Sequence, residues 1–135
     1  MTPRITAFYA GLSALLLVFL SVRVMLYRRS ARIGLGDAGD KTLIRLMRAH
    51  GNAVENVLIG LLLLLVLELL AIAPLWLHLF GASLVLGRIL HAWGVSRSAG
   101  KTFGRLWGMV LTWLAIIVMA VIALWQSVLW WLTSV

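Results

Sequence analysis

The chain has 135 residues, of which 63% are hydrophobic and 12% charged, against roughly 45–50% and about 25% in soluble domains, so the composition implies a membrane protein. With no cysteine, disulfides, thiolate metal sites and a cysteine nucleophile are excluded, and any thiol chemistry has to use a thiol that a ligand brings. The formal charge of +8 would suit nucleic acid, but the basic residues cluster where apolar runs end, which is the membrane pattern and leaves no nucleic-acid partner expected.

A single domain over residues 1–135 is expected for this length. A helix needs about 20 apolar residues to cross the hydrocarbon core, and four segments qualify. The first runs from about Ile5 to Tyr27; it is long, lacks a small-residue cleavage pattern and leads into Arg28 and Arg29, so it reads as a retained span rather than a secretory signal. The loop after it, Gly34 to Gly39, spells the dinucleotide fingerprint. That fingerprint works only between a strand and a helix of a parallel sheet, so the loop reads as a glycine-rich turn whose Asp40 caps the second helix.

The second span is predicted from about Leu43 to Ala73, the third from about Leu75 to Val95 and the fourth from about Leu106 to Leu132, with a tight turn at Ala73-Pro74-Leu75. The first connection carries Arg28, Arg29, Arg32 and Lys41; the third carries Arg97, Lys101 and Arg105. The positive-inside rule puts both loops in the cytoplasm and both termini on the opposite, periplasmic side. Trp76, Trp125, Trp130 and Trp131 are then expected at the outer interface and Trp93 and Trp107 at the inner one.

Ionisable residues inside spans are expensive and mark functional sites by default. The second span holds several. At about 100° per residue, Arg45, Arg48, Asn52 and Glu55 fall within an arc of roughly 80°, a stripe that has to face another helix, a neighbouring subunit or a wet cleft. Either the stripe is a structural network, with Glu55 neutralised by an arginine and Asn52 tying helices together, or it is a binding site. His50 points to the other side and reads as a packing residue; Glu68 shares that face near the outer end, where interfacial water or a partner is within reach. Arg23 is expected to snorkel from the first span. In the third span Arg88 and His91 share a face. No histidine pair has ligand spacing and the arginines repel cations, so no metal is expected; the positive site calls for an anion.

The segment Arg48-Ala49-His50-Gly51-Asn52-Ala53-Val54-Glu55, placed after a basic-ended span and a short loop, resembles the MAPEG superfamily, the membrane-associated proteins in eicosanoid and glutathione metabolism. Gly87-Arg88-Ile89-Leu90-His91-Ala92-Trp93-Gly94 is similar to the corresponding stretch of the small bacterial inner-membrane branch. The resemblance implies an all-α membrane protein, a left-handed four-transmembrane-helix bundle assembling as a homotrimer among membrane lipids, with glutathione as substrate or bound ligand between subunits near the cytoplasmic side. It implies Arg48 on a carboxylate, Asn52 on the peptide portion, Glu55 on the ammonium and Arg28 or Arg29 reaching across the subunit interface to a second carboxylate. His91 belongs to the same implied glutathione site. Thiol activation falls to Arg105, with Arg97 as its rival.

The chain departs from the family pattern in three places: Asn56 stands where tyrosine commonly follows the glutamate, Leu58 where this branch has proline, and Val95 where eukaryotic members place an aromatic. A thiol of pKa about 8.5 is only a few per cent ionised at pH 7. Lowering it by about two units takes roughly 2.7 kcal/mol, within the one to three units that a close opposite charge commonly supplies. One arginine therefore suffices for a glutathione transferase or peroxidase acting on lipophilic electrophiles. The alternative is a non-catalytic membrane protein whose degenerate site binds an anionic thiol or a lipid headgroup.

Overall fold

The computed structural model describes residues 2–98 and 100–134. Within them the chain forms four helices, α1 (Arg4–Ala31), α2 (Lys41–Leu69), α3 (Pro74–Arg97) and α4 (Phe103–Thr133), each long and apolar enough to cross a membrane. The all-α four-helix bundle expected from the sequence is observed, with differences at the helix ends. The first helix continues one turn past its apolar core, through Arg28 and Arg29, and closes at Arg32, which adopts a left-handed conformation (φ 56°) and donates its N–H to the carbonyls of Arg28 and Arg29. Pro74 does not form the second turn. The turn falls at Leu70–Ala73, and Pro74 opens α3, where its fixed φ suits the helix and its missing N–H costs no intrahelical bond.

Capping explains the starts of α2 and α4. The Asp40 carboxylate accepts from the amides of Thr42 and Leu43, both at 2.8 Å, and its φ and ψ are extended, as an N-cap requires. The preceding loop places Gly36 and Gly39 at positive φ, the glycine-rich turn expected before α2, and it follows a helix rather than a strand. Thr102 caps α4 through the amide of Arg105, which starts that helix three residues earlier than the apolar run alone indicates.

The helices do not pack as a closed square. Helices α2 and α3 each touch all the others, whereas α1 and α4 make no contact with each other among the described residues. The closest packing is α3 on α4, and glycines permit it. A Cβ on Gly108 would lie 2.5 Å from the Gly87 carbonyl and the His91 amide, and one on Gly104 2.8 Å from the Leu90 carbonyl. Small residues at such spacing let membrane helices approach closely, so that dispersion and hydrogen bonds replace the hydrophobic drive that lipid does not provide.

Towards the termini the core is large and apolar, built on Leu64, Leu67, Leu77, Phe80, Leu84 and Met119. Towards the basic loops it becomes small, with Ala49, Ala53 and Ala92 around Leu20 and Val95. Several polar ties fasten α1, among them the Tyr9 hydroxyl donating to the His78 carbonyl at 3.0 Å, and two correct the expectations for Glu68 and Arg23. Glu68 accepts the amides of Ile5 at 2.9 Å and Thr6 at 2.7 Å, thereby capping the N-terminus of α1 rather than reaching only to interfacial water. Arg23 donates to Ser96 on α3 at 3.2 Å, so it is held by a neighbouring helix instead of snorkelling alone.

Candidate functional site

Because α2 begins just after its Asp40 cap and runs unbroken to Leu69, the stripe Arg45, Arg48, Asn52 and Glu55 stays on one face. That face borders a cleft of about 520 Å³ at the end of the bundle that carries the basic loops. His91 and Val95 enter from α3, Arg105 and Met109 from α4, and Ser98 from the loop between them. Three arginines and one carboxylate therefore line one opening, an excess of cations that favours an anionic ligand. Arg48 and Glu55 are both exposed and neither has a hydrogen-bond or ion-pair partner among the described residues, so the expected neutralisation of Glu55 by an arginine is not what the chain does. Arg45 donates from Nη2 to Thr42 Oγ1 at 3.0 Å, while its buried Nε has no partner among the described residues.

Asn52 does tie helices together. Its Oδ1 accepts a hydrogen bond from Arg88 Nη1. Arg88 is 1% exposed and lies behind the cleft wall; it also donates from Nε to Thr112 Oγ1 at 3.0 Å and from Nη2 to the Gly108 carbonyl at 2.9 Å. Thr112 in turn donates to the same carbonyl at 2.9 Å. One buried guanidinium thus joins α2, α3 and α4 through neutral acceptors. With Oδ1 committed to Arg88, the remaining polar group of Asn52 is its NH2, which can only donate.

The other expected site residues are placed elsewhere. Arg97 lies over the Trp93 ring, 4.2 Å from its centroid, and does not line the cleft; between the two rival arginines only Arg105 borders it. Arg28 donates to Met47 Sδ at 3.4 Å within its own chain, and Arg29, exposed, does not line the cleft either. Of the departures from the family pattern, Asn56 turns back to donate to the Asn52 carbonyl at 2.9 Å, Leu58 is 74% exposed on the outer face, and Val95 is a buried part of the cleft wall.

Reasoning from the sequence missed the role of Arg88 because its partners are 20 to 36 positions away. The spacing Gly104-x-x-x-Gly108-x-x-x-Thr112 was the available signal that a helix packs closely there. No group of acidic, histidine or cysteine side chains among the described residues could hold a metal ion. A second groove, about 790 Å³, adjoins the cleft along the outer face of α4, shares Arg105 and Met109 with it, and is lined by Phe103, Leu106 and Trp113.

Fold and site together define the class: an integral membrane protein of four helices with a cation-lined cleft at the end carrying its basic loops. The chain belongs to the MAPEG family, whose match covers residues 6–125. It is 36% identical over 121 residues to the inner membrane protein YecN of Escherichia coli strain K12, across 90% of this chain and 91% of that protein, and shows the same similarity to YecN of Escherichia coli O6:H1.

Proposed function

We propose that the protein binds glutathione in the cleft and acts as a membrane glutathione transferase or peroxidase on lipophilic electrophiles. The observation that carries this reading is the convergence of Arg45, Arg48, Asn52, Glu55, His91 and Arg105 on one opening. Glutathione has two carboxylates, an ammonium and a thiol. Arg48 and Arg45 can take carboxylates, Glu55 the ammonium and the Asn52 NH2 a peptide carbonyl. The rise from Arg48 to Glu55 is about 10.5 Å, close to the roughly 10–11 Å that an extended tripeptide spans.

Arg105 is the residue assigned to the thiol. It stands between the polar cleft and the apolar groove, so a thiolate held there meets a lipophile entering along Phe103, Leu106 and Trp113. With an aryl halide the thiol proton passes to solvent, the sulfur forms a bond to carbon and halide leaves. With a lipid hydroperoxide, two glutathiones are oxidised to the disulfide as the hydroperoxide is reduced to an alcohol and water. Completion of the site by Arg28 or Arg29 of a neighbouring copy in a homotrimer belongs to the same proposal. So does placement in the bacterial inner membrane with both termini periplasmic, which the relatives' printed location and the basic loops support.

Calorimetric titration of the detergent-purified protein with glutathione and with an S-alkyl derivative tests the reading. Similar binding of both is expected, because the peptide portion is recognised; binding of neither removes it. A second reading, binding without turnover of an anionic thiol or a lipid headgroup, is favoured by Asn56, whose side chain is spent on its own helix. Binding without any thiolate signal would select it.

A further inference from the structure

Among the described residues, Arg88 is the one buried arginine, lysine or carboxylate, and the proposed chemistry does not use it. Its guanidinium has no carboxylate partner among the described residues; its partners are an amide oxygen, a hydroxyl, a backbone carbonyl and the Met109 thioether. A buried cation is costly unless its environment is fully committed to it, and a structural clamp between α3 and α4 needs only the contacts to Thr112 and Gly108. Met109 is on α4 as well, so the contact to Asn52 is the one that reaches α2, at a polar residue that lines the cleft. An asparagine amide can present either its acceptor or its donors to a ligand, and an adjacent N–H donor on the protein side decides which.

We propose that Arg88 is a positioning residue: from behind the wall it holds Asn52 Oδ1, so that the Asn52 NH2 faces the cleft and selects ligand groups that accept hydrogen bonds. The inference rests on the reading of the cleft as a glutathione site, and it makes the wall donor-only between Arg48 and Glu55. Without Arg88 the amide is free to turn and present its oxygen, which repels a carboxylate or a peptide carbonyl. The uncompensated charge of Arg88 adds positive potential behind the same wall.

The chain has two asparagines, Asn52 and Asn56, so protein labelled with nitrogen-15 only at asparagine shows two side-chain NH2 pairs by NMR, and Asn56→Ser assigns them. In the ligand-free protein the Asn52 pair should be displaced from random-coil positions by its fixed orientation, move towards them in Arg88→Met as the side chain turns freely, and be restored in Arg88→Lys, which keeps a donor and the charge. Glutathione affinity should fall about tenfold or more in Arg88→Met, but by less than about twofold when the same change is made in an Asn52→Ala background. An equal loss in both backgrounds overturns the proposal, because Arg88 then acts through the fold alone.

Asn52→Asp guards against a variant that fails to fold. The new carboxylate pairs with Arg88, so the midpoint of thermal unfolding should hold or rise while glutathione affinity falls by about tenfold or more; retained affinity overturns the proposal. If wild type binds no glutathione, the functional reading falls, and the ligand-free NH2 pair still decides whether Arg88 holds Asn52.

Discussion

Arg105 and Arg97 are eight positions apart and alike in charge, yet the fold gives them different neighbours. Arg97 is stacked on Trp93, whereas Arg105 borders both the cleft and the apolar groove. Arg105→Ala should therefore lower the bound-thiolate absorbance near neutral pH and the rate with a reactive aryl halide, with a smaller change in glutathione affinity. Arg97→Ala should leave both close to wild type; loss of the thiolate signal in Arg97→Ala with Arg105→Ala intact would reverse the assignment. Arg48→Ala and Glu55→Ala should act on binding instead, each by about tenfold or more, because each leaves a charged group of the ligand without its counterpart. Calorimetry separates the two classes.

Helix ends and helix contacts carry two further tests. Asp40 caps α2, and its carboxyl is held below the ordinary carboxylate range chiefly by the Leu43 amide; partial burial opposes this, and the Thr42 amide, the Tyr27 hydroxyl and Arg45 reinforce it. A group with a lowered folded-state pKa contributes stability that is fully present above its unfolded value, near 3.8, and is lost as pH falls through the lowered one. The helical content of wild type should therefore drop in that acidic window relative to Asp40→Asn, which keeps a capping oxygen but does not titrate. Parallel acid titrations of the two by circular dichroism check this, and superimposable curves would show that the cap does not titrate as described. At the α3–α4 contact, Gly108→Ala drives a methyl towards the Gly87 carbonyl and the His91 amide. Overpacking of this kind costs about 1–3 kcal/mol. Thermal unfolding in mild detergent should show it, whereas Gly51→Ala, with open space around its Cβ position, should be neutral or stabilising.

In the homotrimer proposed above, the exposed half of the site would meet a neighbouring copy. Arg48 and Glu55 are solvent-accessible in the single chain, and a neighbouring copy carrying Arg28 or Arg29 would cover them. Native mass measurement in mild detergent should give three subunits; a clean monomer that binds glutathione with full affinity would contradict a shared site. For orientation, reporters fused after Asp37 and within the loop before Thr102 should both report the cytoplasm. An active periplasmic reporter at either position would move the cleft to the other side of the membrane.

Length, composition and the positions of the arginines were enough to read four spans, the basic loops, the Asp40 cap and the stripe on α2, because these depend on local periodicity and on the cost of charge in lipid. The α2 signature around Arg48, Asn52 and Glu55 was also legible, since three and four residues of helix bring such positions onto one face whatever surrounds them. Pairings between helices were not. That Arg88 belongs to Asn52, Thr112 and Gly108, that Glu68 caps α1, and that Arg105 rather than Arg97 borders the cleft all depend on how close two helices come. Between α3 and α4 that distance is set where Gly87 meets Gly108 and Leu90 meets Gly104, through side chains that are missing rather than present, and only the packed bundle reveals which backbones their absence brings together.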